Sequence, residues 1–401
     1  VLQDKRIILG VTGSIAVYKA AMLASHLTQA EAHVDIIMTE AAVRFVTPLT
    51  FQALTGRPVY TDMWQAEHGG GLETHIAHVG LASEADLLVI APATAQTIAK
   101  IALGLADNLL TVTALAARCP VLIAPAMDVG MFENPATQAH LTTLRGRGVH
   151  IAGPAWGRMA SGQEGLGRFL EPDELLGHCR LALGHGGRLT GCRVVVTAGP
   201  THEPIDPVRF ISNHSSGKQG FALAQAAIDL GAEATLITGP VNLPTPIGAQ
   251  RVDVQSAQEM LDAVLEHIAG ADALLMAAAV SDFRPEQITD QKLKKEIGLD
   301  ALTLAPTPDI LMRVAESERR PHIVVGFAAE TQDLIDNARA KLTRKGLDLI
   351  VANDVSAEDA GFGVDTNRVT LITSGQLTTL PLLSKAEVAE HILDWVAKRL
   401  T

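Results

Sequence analysis

Short apolar runs recur along this chain, and each breaks at glycine, threonine, proline or asparagine before the chain moves on. Arg6–Val11, Val34–Met38, Leu87–Ala91 and Val121–Ala124 are four in the first half. Arg193–Thr197, Ala234–Ile237, Ala273–Met276, Ile323–Val325 and Leu349–Ala352 follow in the second. A strand that is apolar on both faces has to be covered on both faces, the condition of a parallel sheet between layers of helices. Runs alternating with helical patterns predict an α/β chain of doubly wound, Rossmann-like parallel sheets with right-handed crossovers. Ligands in such sheets bind at the carboxyl ends of strands. Hydrophobic residues are 47% and aromatics only 3%, as expected for cores of Ala, Val and Leu.

A chain of 401 residues divides into two or three domains. Glycine density at 184–191, followed by a new strand at Arg193, marks a boundary. The domains expected are therefore 1–185 and 191–401. A hairpin around Ser374-Gly375 and an amphipathic helix over Lys385–Leu400 close the second.

The net charge of −12 argues against nucleic acid as a bulk partner. No apolar run reaches the ~18 residues of a membrane span. The first residues enter a strand without a signal-peptide pattern, so a cytoplasmic protein is expected. Cys119, Cys179 and Cys192 are scattered and suggest neither a disulfide framework nor a zinc site. His68, His75 and His78 lack the carboxylate or thiol support of a metal site, and no metal ligands are assigned.

In the first half, Gly13-Ser14 opens a helix and offers N–H groups and a hydroxyl to a phosphate. Thr39 and Thr94 end two other strands and add hydroxyls; as helix caps they would need no ligand at all. One helix is expected from Thr94 through about Ala117. In the second half, Val194–Gly220 reads as a strand, a long polar loop and a helix start, a phosphate-cradling arrangement. Lys292, Lys294 and Lys295 lie in a segment, Gln287–Gly298, that reads as mobile. Lys341 and Lys345 share a helix face. Either group is a solvated surface, or lysines converging on a strand-end cleft to hold a triphosphate with Mg²⁺.

Particular motifs go further. GVTGSIAVYKA (10–20), Thr74-His75-Ile76, APATAQTIAKIALGLADNLL (91–110) and PAMDVGMF (125–132) resemble the flavin-dependent cysteine decarboxylase family over residues 5–175. The resemblance implies a trimer-forming fold that holds FMN, with Gly13, Ser14, Thr39 and Thr94 lining the site and His75 catalytic. Two positions depart from the family. Asp128 stands where its PAMN motif has Asn, and Ser161 stands where its ACG motif has the Cys that protonates an enethiol. Three outcomes follow: an inactive domain kept as a scaffold, a reaction that stops at the enethiol, or compensation, in which Asp128 supplies the missing proton.

TAGPTHEPIDPVRFISNHSSGKQG, AAAVSDFRP, KLKK, GFAAET, KLTRKGLDLIVANDV and FGVDTN resemble phosphopantothenate–cysteine ligases over roughly 190–395. That resemblance implies attack of the 4′-phosphopantothenate carboxylate on CTP, an acyl-cytidylate, and its capture by cysteine. Asn213 would hold the acyl-cytidylate, and Lys292 would stabilise charge at the transferring phosphate. CTP would contact Met276, Ala277, Ala278, Asp282, Pro308, Asp309, Ile310, Leu311, Phe327, Lys341 and Lys345. Pro200 stands where the family usually has a second Gly. The ligase half would be dimeric and the decarboxylase half trimeric. The order of the halves is similar to that of bifunctional coenzyme A biosynthesis proteins, which implies two successive activities; the alternative is an active ligase fused to a non-decarboxylating flavoprotein domain.

Overall fold

The computed structural model describes residues 1–64, 77–294, 301–330, 334–354 and 363–400. The chain forms two compact units, Val1–His185 and Gly186–Thr401.

In the first unit, β1 (Arg6–Val11), β2 (His33–Met38), β3 (Val59–Tyr60), β4 (Leu87–Ala93), β5 (Val121–Pro125) and β6 (His150–Ile151) form one sheet. Its order is β3-β2-β1-β4-β5-β6, and every pairing is parallel. Alternation along the strand explains the unbroken apolar runs. Ile7, Leu9 and Val11 enter the core shared with the helix Val17–Gln29. Ile8 enters the opposite core with Ile98 and Leu141. An antiparallel hairpin of β7 (Ala155–Arg158) and β8 (Glu164–Arg168) stands apart from this sheet.

In the second unit, β9 (Arg193–Ala198) is followed by the small hairpin β10 (His202–Pro204) and β11 (Phe210–Ser212). Next come β12 (Glu233–Thr238), β13 (Gln250–Asp253) and β14 (Ala273–Met276), then the short antiparallel pair β15 (Phe283–Pro285) and β16 (Leu304–Pro306). The chain continues through β17 (Ile323–Glu330), β18 (Leu349–Asp354), β19 (Thr366–Asn367), β20 (Val369–Ile372), β21 (Leu377–Thr379) and β22 (Leu383–Ser384). The main sheet runs β13-β12-β9-β14-β17-β18-β20-β21. It is parallel as far as β18, and β20 and β21 add an antiparallel edge. The helix Lys385–Leu400 closes the unit.

Each sheet reverses its strand order beside its first strand, where α/β folds open a ligand crevice. A buried threonine stitches that point in both units. The Thr12 hydroxyl donates to the Pro92 carbonyl at 2.6 Å and accepts from the Thr94 N–H at 3.1 Å. The Thr197 hydroxyl accepts from the Ala278 N–H at 3.1 Å.

Two expectations need correction. The helix expected from Thr94 to Ala117 is two helices, Ala95–Leu103 and Leu109–Ala116. Gly104 ends the first at φ 72°, and Asn108 starts the second with a capping box. The long loop within Val194–Gly220 is largely ordered by the β10–β11 hairpin, which buries Glu203 and Asp206.

Candidate functional site

At the carboxyl edge of the first sheet, Gly13 lies so close to the helix after β2 that a Cβ would stand 2.6 Å from the Ala41 Cβ. The Ser14 hydroxyl accepts from the Ala16 N–H at 3.3 Å. Thr39 accepts from the Ala42 N–H at 3.3 Å, and Thr94 from the Thr97 N–H at 3.4 Å. Both threonines therefore cap their own helices. The strand ends also direct these helix starts, with their N–H groups, to one edge of the sheet, an arrangement suited to an anionic group. His75 and His68 lie outside the described residues.

Asp128 follows β5 and caps the short helix Val129–Phe132, accepting from the Gly130 N–H at 3.2 Å. Ser161 lies in the turn between β7 and β8. Its hydroxyl donates to Asp128 Oδ2 at 2.6 Å. The glycines of β8 allow this approach. A Cβ on Gly167 would stand 2.3 Å from the Met127 carbonyl oxygen, which is why the strand can lie flat against the Asp128 segment. The two positions that depart from the decarboxylase motifs are thus direct partners, which their separation in sequence does not reveal.

At the carboxyl edge of the second sheet lies a cleft of about 660 Å³, within the size range of small-molecule sites. It brings together Asn213, Met276–Ala278, Asp282, Pro308–Leu311, Phe327, Lys341 and Lys345. Asn213 Nδ2 donates to the Ala279 carbonyl at 3.0 Å, which orients the carboxamide. Lys345 donates to Asp309 Oδ1 at 3.1 Å, and Lys341 to the Phe327 carbonyl at 3.2 Å. Lys292 is not among the described lining residues. It is exposed, on a segment bonded to the β10–β11 turn, and that part of Gln287–Gly298 is held rather than loose. Lys295 lies outside the described residues.

The cleft also holds residues that sequence reasoning missed. Lys218 and Lys385 line it, so its described wall carries four lysines against two aspartates, Asp282 and Asp309, in a chain of net charge −12. Lys218 pairs with Asp365 at 2.7 Å. Lys385 is buried, and that burial holds its ammonium below the usual lysine range. Lys218 was legible as the basic residue after Gly217 in SSGKQG; Lys385, at the start of the closing helix, carried no local signal. Ser281 Oγ and Asn353 Oδ1 are buried without a hydrogen-bond partner among the described residues, and both residues line the cleft. Unmet buried polar atoms cost stability; Ser281 Oγ can donate to an anionic oxygen, Asn353 Oδ1 only accepts, and the two beside one cationic cleft fit a ligand that carries N–H or O–H donors as well as anionic groups.

Residues 1–180 match the Flavoprotein family, and residues 189–400 match the DNA/pantothenate metabolism flavoprotein C-terminal domain. The chain is 47% identical over 402 residues to the coenzyme A biosynthesis bifunctional protein CoaBC of Vibrio cholerae, covering 100% of this chain and 99% of that relative. It is 48% identical over 403 residues to the protein of the same name from Bacillus subtilis, covering 99% and 97%. A solved C-terminal domain of a coenzyme A biosynthesis bifunctional protein CoaBC is 40% identical, covers 53% of this chain and 98% of its own, and superposes with a TM-score of 0.46. With both halves matched and relatives aligned along nearly their whole length, the chain belongs to the family of coenzyme A biosynthesis bifunctional proteins.

Proposed function

We propose that the second unit joins cysteine to 4′-phosphopantothenate at the expense of CTP, and that the first unit decarboxylates the phosphopantothenoylcysteine so formed to pantetheine 4′-phosphate. The observation that carries the reading is the cationic cleft. Its lysines, its two unmet polar atoms and Asn213 suit a nucleoside triphosphate and an acyl group placed side by side. The 4′-phosphopantothenate carboxylate attacks the α-phosphorus, and pyrophosphate leaves. The cysteine amine then attacks the acyl carbon, and CMP leaves. Lys218, Lys341 and Lys345 offset the triphosphate charge as it redistributes. Asn213 retains one amide hydrogen and its carbonyl oxygen for the acyl-cytidylate. Among the described residues no group of three or more His, Cys, Asp or Glu could hold a metal. Mg²⁺ would be held together with the triphosphate, where Asp282 and Asp309 are the carboxylates of the described cleft wall.

FMN would lie on the edge that carries Gly13, Ser14, Thr39 and Thr94, and it supplies two-electron chemistry at the substrate thiol when bound. His75 is the proposed catalytic histidine there. Asp128 and Ser161 act as one proton-delivering couple. With Asp128 protonated, the hydrogen bond between them reverses. Asp128 donates to Ser161 Oγ, and the Ser161 hydrogen is free to pass to the substrate carbon as Asp128 gives up its own. Exposed Ile15, Tyr18, Met22, Phe45 and Leu49 in the first unit fit burial between copies of that unit in a trimer; the second units would pair as a dimer.

The test is one incubation with 4′-phosphopantothenate, cysteine, CTP and Mg²⁺, followed by mass. Pantetheine 4′-phosphate is the expected product. Accumulation of phosphopantothenoylcysteine would leave the ligase standing and remove the decarboxylase; no product at all would remove the ligase, and supplied phosphopantothenoylcysteine then tests the decarboxylase alone.

A further inference from the structure

Two lysines of the cleft, Lys218 and Lys385, lie far apart in the chain and hold one short strap, residues 363–367. Lys218 Nζ donates to Asp365 Oδ1 at 2.7 Å and to the Gly363 carbonyl at 3.1 Å. Lys385 takes the next two carbonyls: its ammonium donates to that of Val364, and its N–H donates to that of Asp365 at 2.9 Å. Asn367 Nδ2 donates to Gln219 Oε1 at 3.3 Å, and residues 366–367 pair with β22 as β19.

The two lysine ties differ in kind. Lys385 and Asn367 are buried, so their part of the strap is packed in place. The Lys218 and Asp365 side chains are 34% and 87% exposed. An ion pair so open to water is weak and screened by salt, and a more highly charged anion can take its cation. The strap can therefore stay where it is while the Lys218 ammonium leaves it.

Lys218 also stands where such an anion would arrive. It is the first residue of the helix Lys218–Asp229, and residues 215–220 line the cleft. A Cβ on Gly220 would stand 2.5 Å from the Ala198 Cβ, so the helix start is pressed against the end of β9. The first N–H groups of a helix have no acceptor within it, and the helix dipole favours a phosphate beside them. A phosphate there and the Asp365 carboxylate both lie within the compass of one flexible lysine side chain. The hydrogen bond from Lys218 is the chief reason that Asp365 is held below the usual carboxylate range.

We propose that Asp365 is an internal competitor for Lys218: a carboxylate, tethered by the Lys385-bound strap, that yields the lysine to a ligand phosphate and takes it back when the phosphate leaves. The inference rests on the reading of the cleft as a ligase site and adds a control on its affinity. Four lysines around one cleft would also hold the anionic product, and binding a substrate and a product more tightly gains nothing in turnover. A competing carboxylate loosens the hold of Lys218 on both. The phosphate in question belongs either to the triphosphate of CTP or to the monoester of 4′-phosphopantothenate.

The experiment compares the full chain with its Asp365→Asn and Lys218→Gln variants and with the two combined. CTP, pyrophosphate and 4′-phosphopantothenate are each titrated alone by calorimetry, with Mg²⁺ and about 0.15 M salt so that distant charges are screened. Asp365→Asn keeps the size and an acceptor oxygen but removes the charge. It should tighten binding about two- to fivefold, the scale of an exposed ion pair. Lys218→Gln should weaken the same ligand, and in that background Asp365→Asn should bring no gain, because the competition has lost its object. A gain for CTP and pyrophosphate places the triphosphate at Lys218; a gain for 4′-phosphopantothenate alone places its monoester there. In turnover Asp365→Asn should lower the KM for that ligand without raising kcat, whereas loss of a merely structural tie would leave the KM unchanged or raise it. Unchanged or weaker binding of all three ligands by Asp365→Asn, or an equal gain in the Lys218→Gln background, would overturn the proposal. Failure of the unsubstituted chain to bind any of the three would overturn the reading beneath it.

Discussion

Ser161 and Asp128 lie 33 positions apart in the chain and 2.6 Å apart in space. Taken one at a time, a serine is a poor acid and an aspartate repels an anionic substrate. As a pair they can carry one extra proton between two oxygens and pass it on. Asp128→Asn keeps the size and the cap to Gly130 but cannot take up that proton. It should slow pantetheine 4′-phosphate formation about 100-fold while phosphopantothenoylcysteine forms at the original rate. Ser161→Cys places a stronger acid at the same point and should at least restore that loss in the Asp128→Asn background. Product masses over time decide the matter, and full-speed turnover by Asp128→Asn would end the proton-couple reading. The chain's own cysteines offer no substitute among the described residues. Burial pushes the Cys179 thiol up to about 12, and Cys119 and Cys192 are also raised, chiefly by burial.

Between strands, the same threonine device closes both crevices, and it can be tested where it is most buried. Thr197 is 0% exposed, and its hydroxyl accepts the Ala278 N–H at the point where β9 and β14 diverge. Thr197→Val keeps the shape, leaves that N–H without its acceptor, and should cost about 1–3 kcal/mol by denaturant unfolding. CTP binding should weaken with it, because Ala278 lines the cleft. A variant of unchanged stability would show that the N–H finds another acceptor. The main strands were legible because burial on both faces writes itself as an unbroken apolar run, as in Leu87–Ala93, where all seven residues are buried. The hairpins were not. β10 and β11 have three residues each, too few for a period, and are held by pairing and by the Asp206–Arg209 ion pair. The helix break at Gly104–Asn108 was readable from its glycine and its asparagine cap, but unbroken helical periodicity across it masked the signal. Lys385 and Ser281 were beyond local reading, since their place in the cleft depends on strands and helices distant in sequence.

Across the whole molecule, acid should act in two stages, because two kinds of titratable group, half-buried histidines and ion-paired carboxylates, respond in separate windows. His150 Nε2 and His178 Nδ1 lie 2.9 Å apart, joining the edge strand β6 to the helix Pro172–Gly184. Burial lowers both, and His178 is brought to about 4 by burial and then by His150. A histidine held neutral in the fold favours folding fully above its ordinary value of 6.5, and that contribution is lost as pH falls toward about 4. The carboxylates respond later. Asp86, tied to the Arg6 N–H and Lys5, and Glu171, tied to Lys19, have lowered values. Their contribution is present above the ordinary carboxylate range and disappears only below it. Melting of the first unit should therefore drop by several degrees between pH 6.5 and about 4, and then fall again at lower pH. Replacing both histidines with glutamine keeps polar side chains and removes the titration, so the upper stage should flatten while the lower one stays. Calorimetry across this range, with hydrogen exchange to assign the transition to residues 1–185, measures it. An upper stage that survives in the double variant would place the acid sensitivity on other groups.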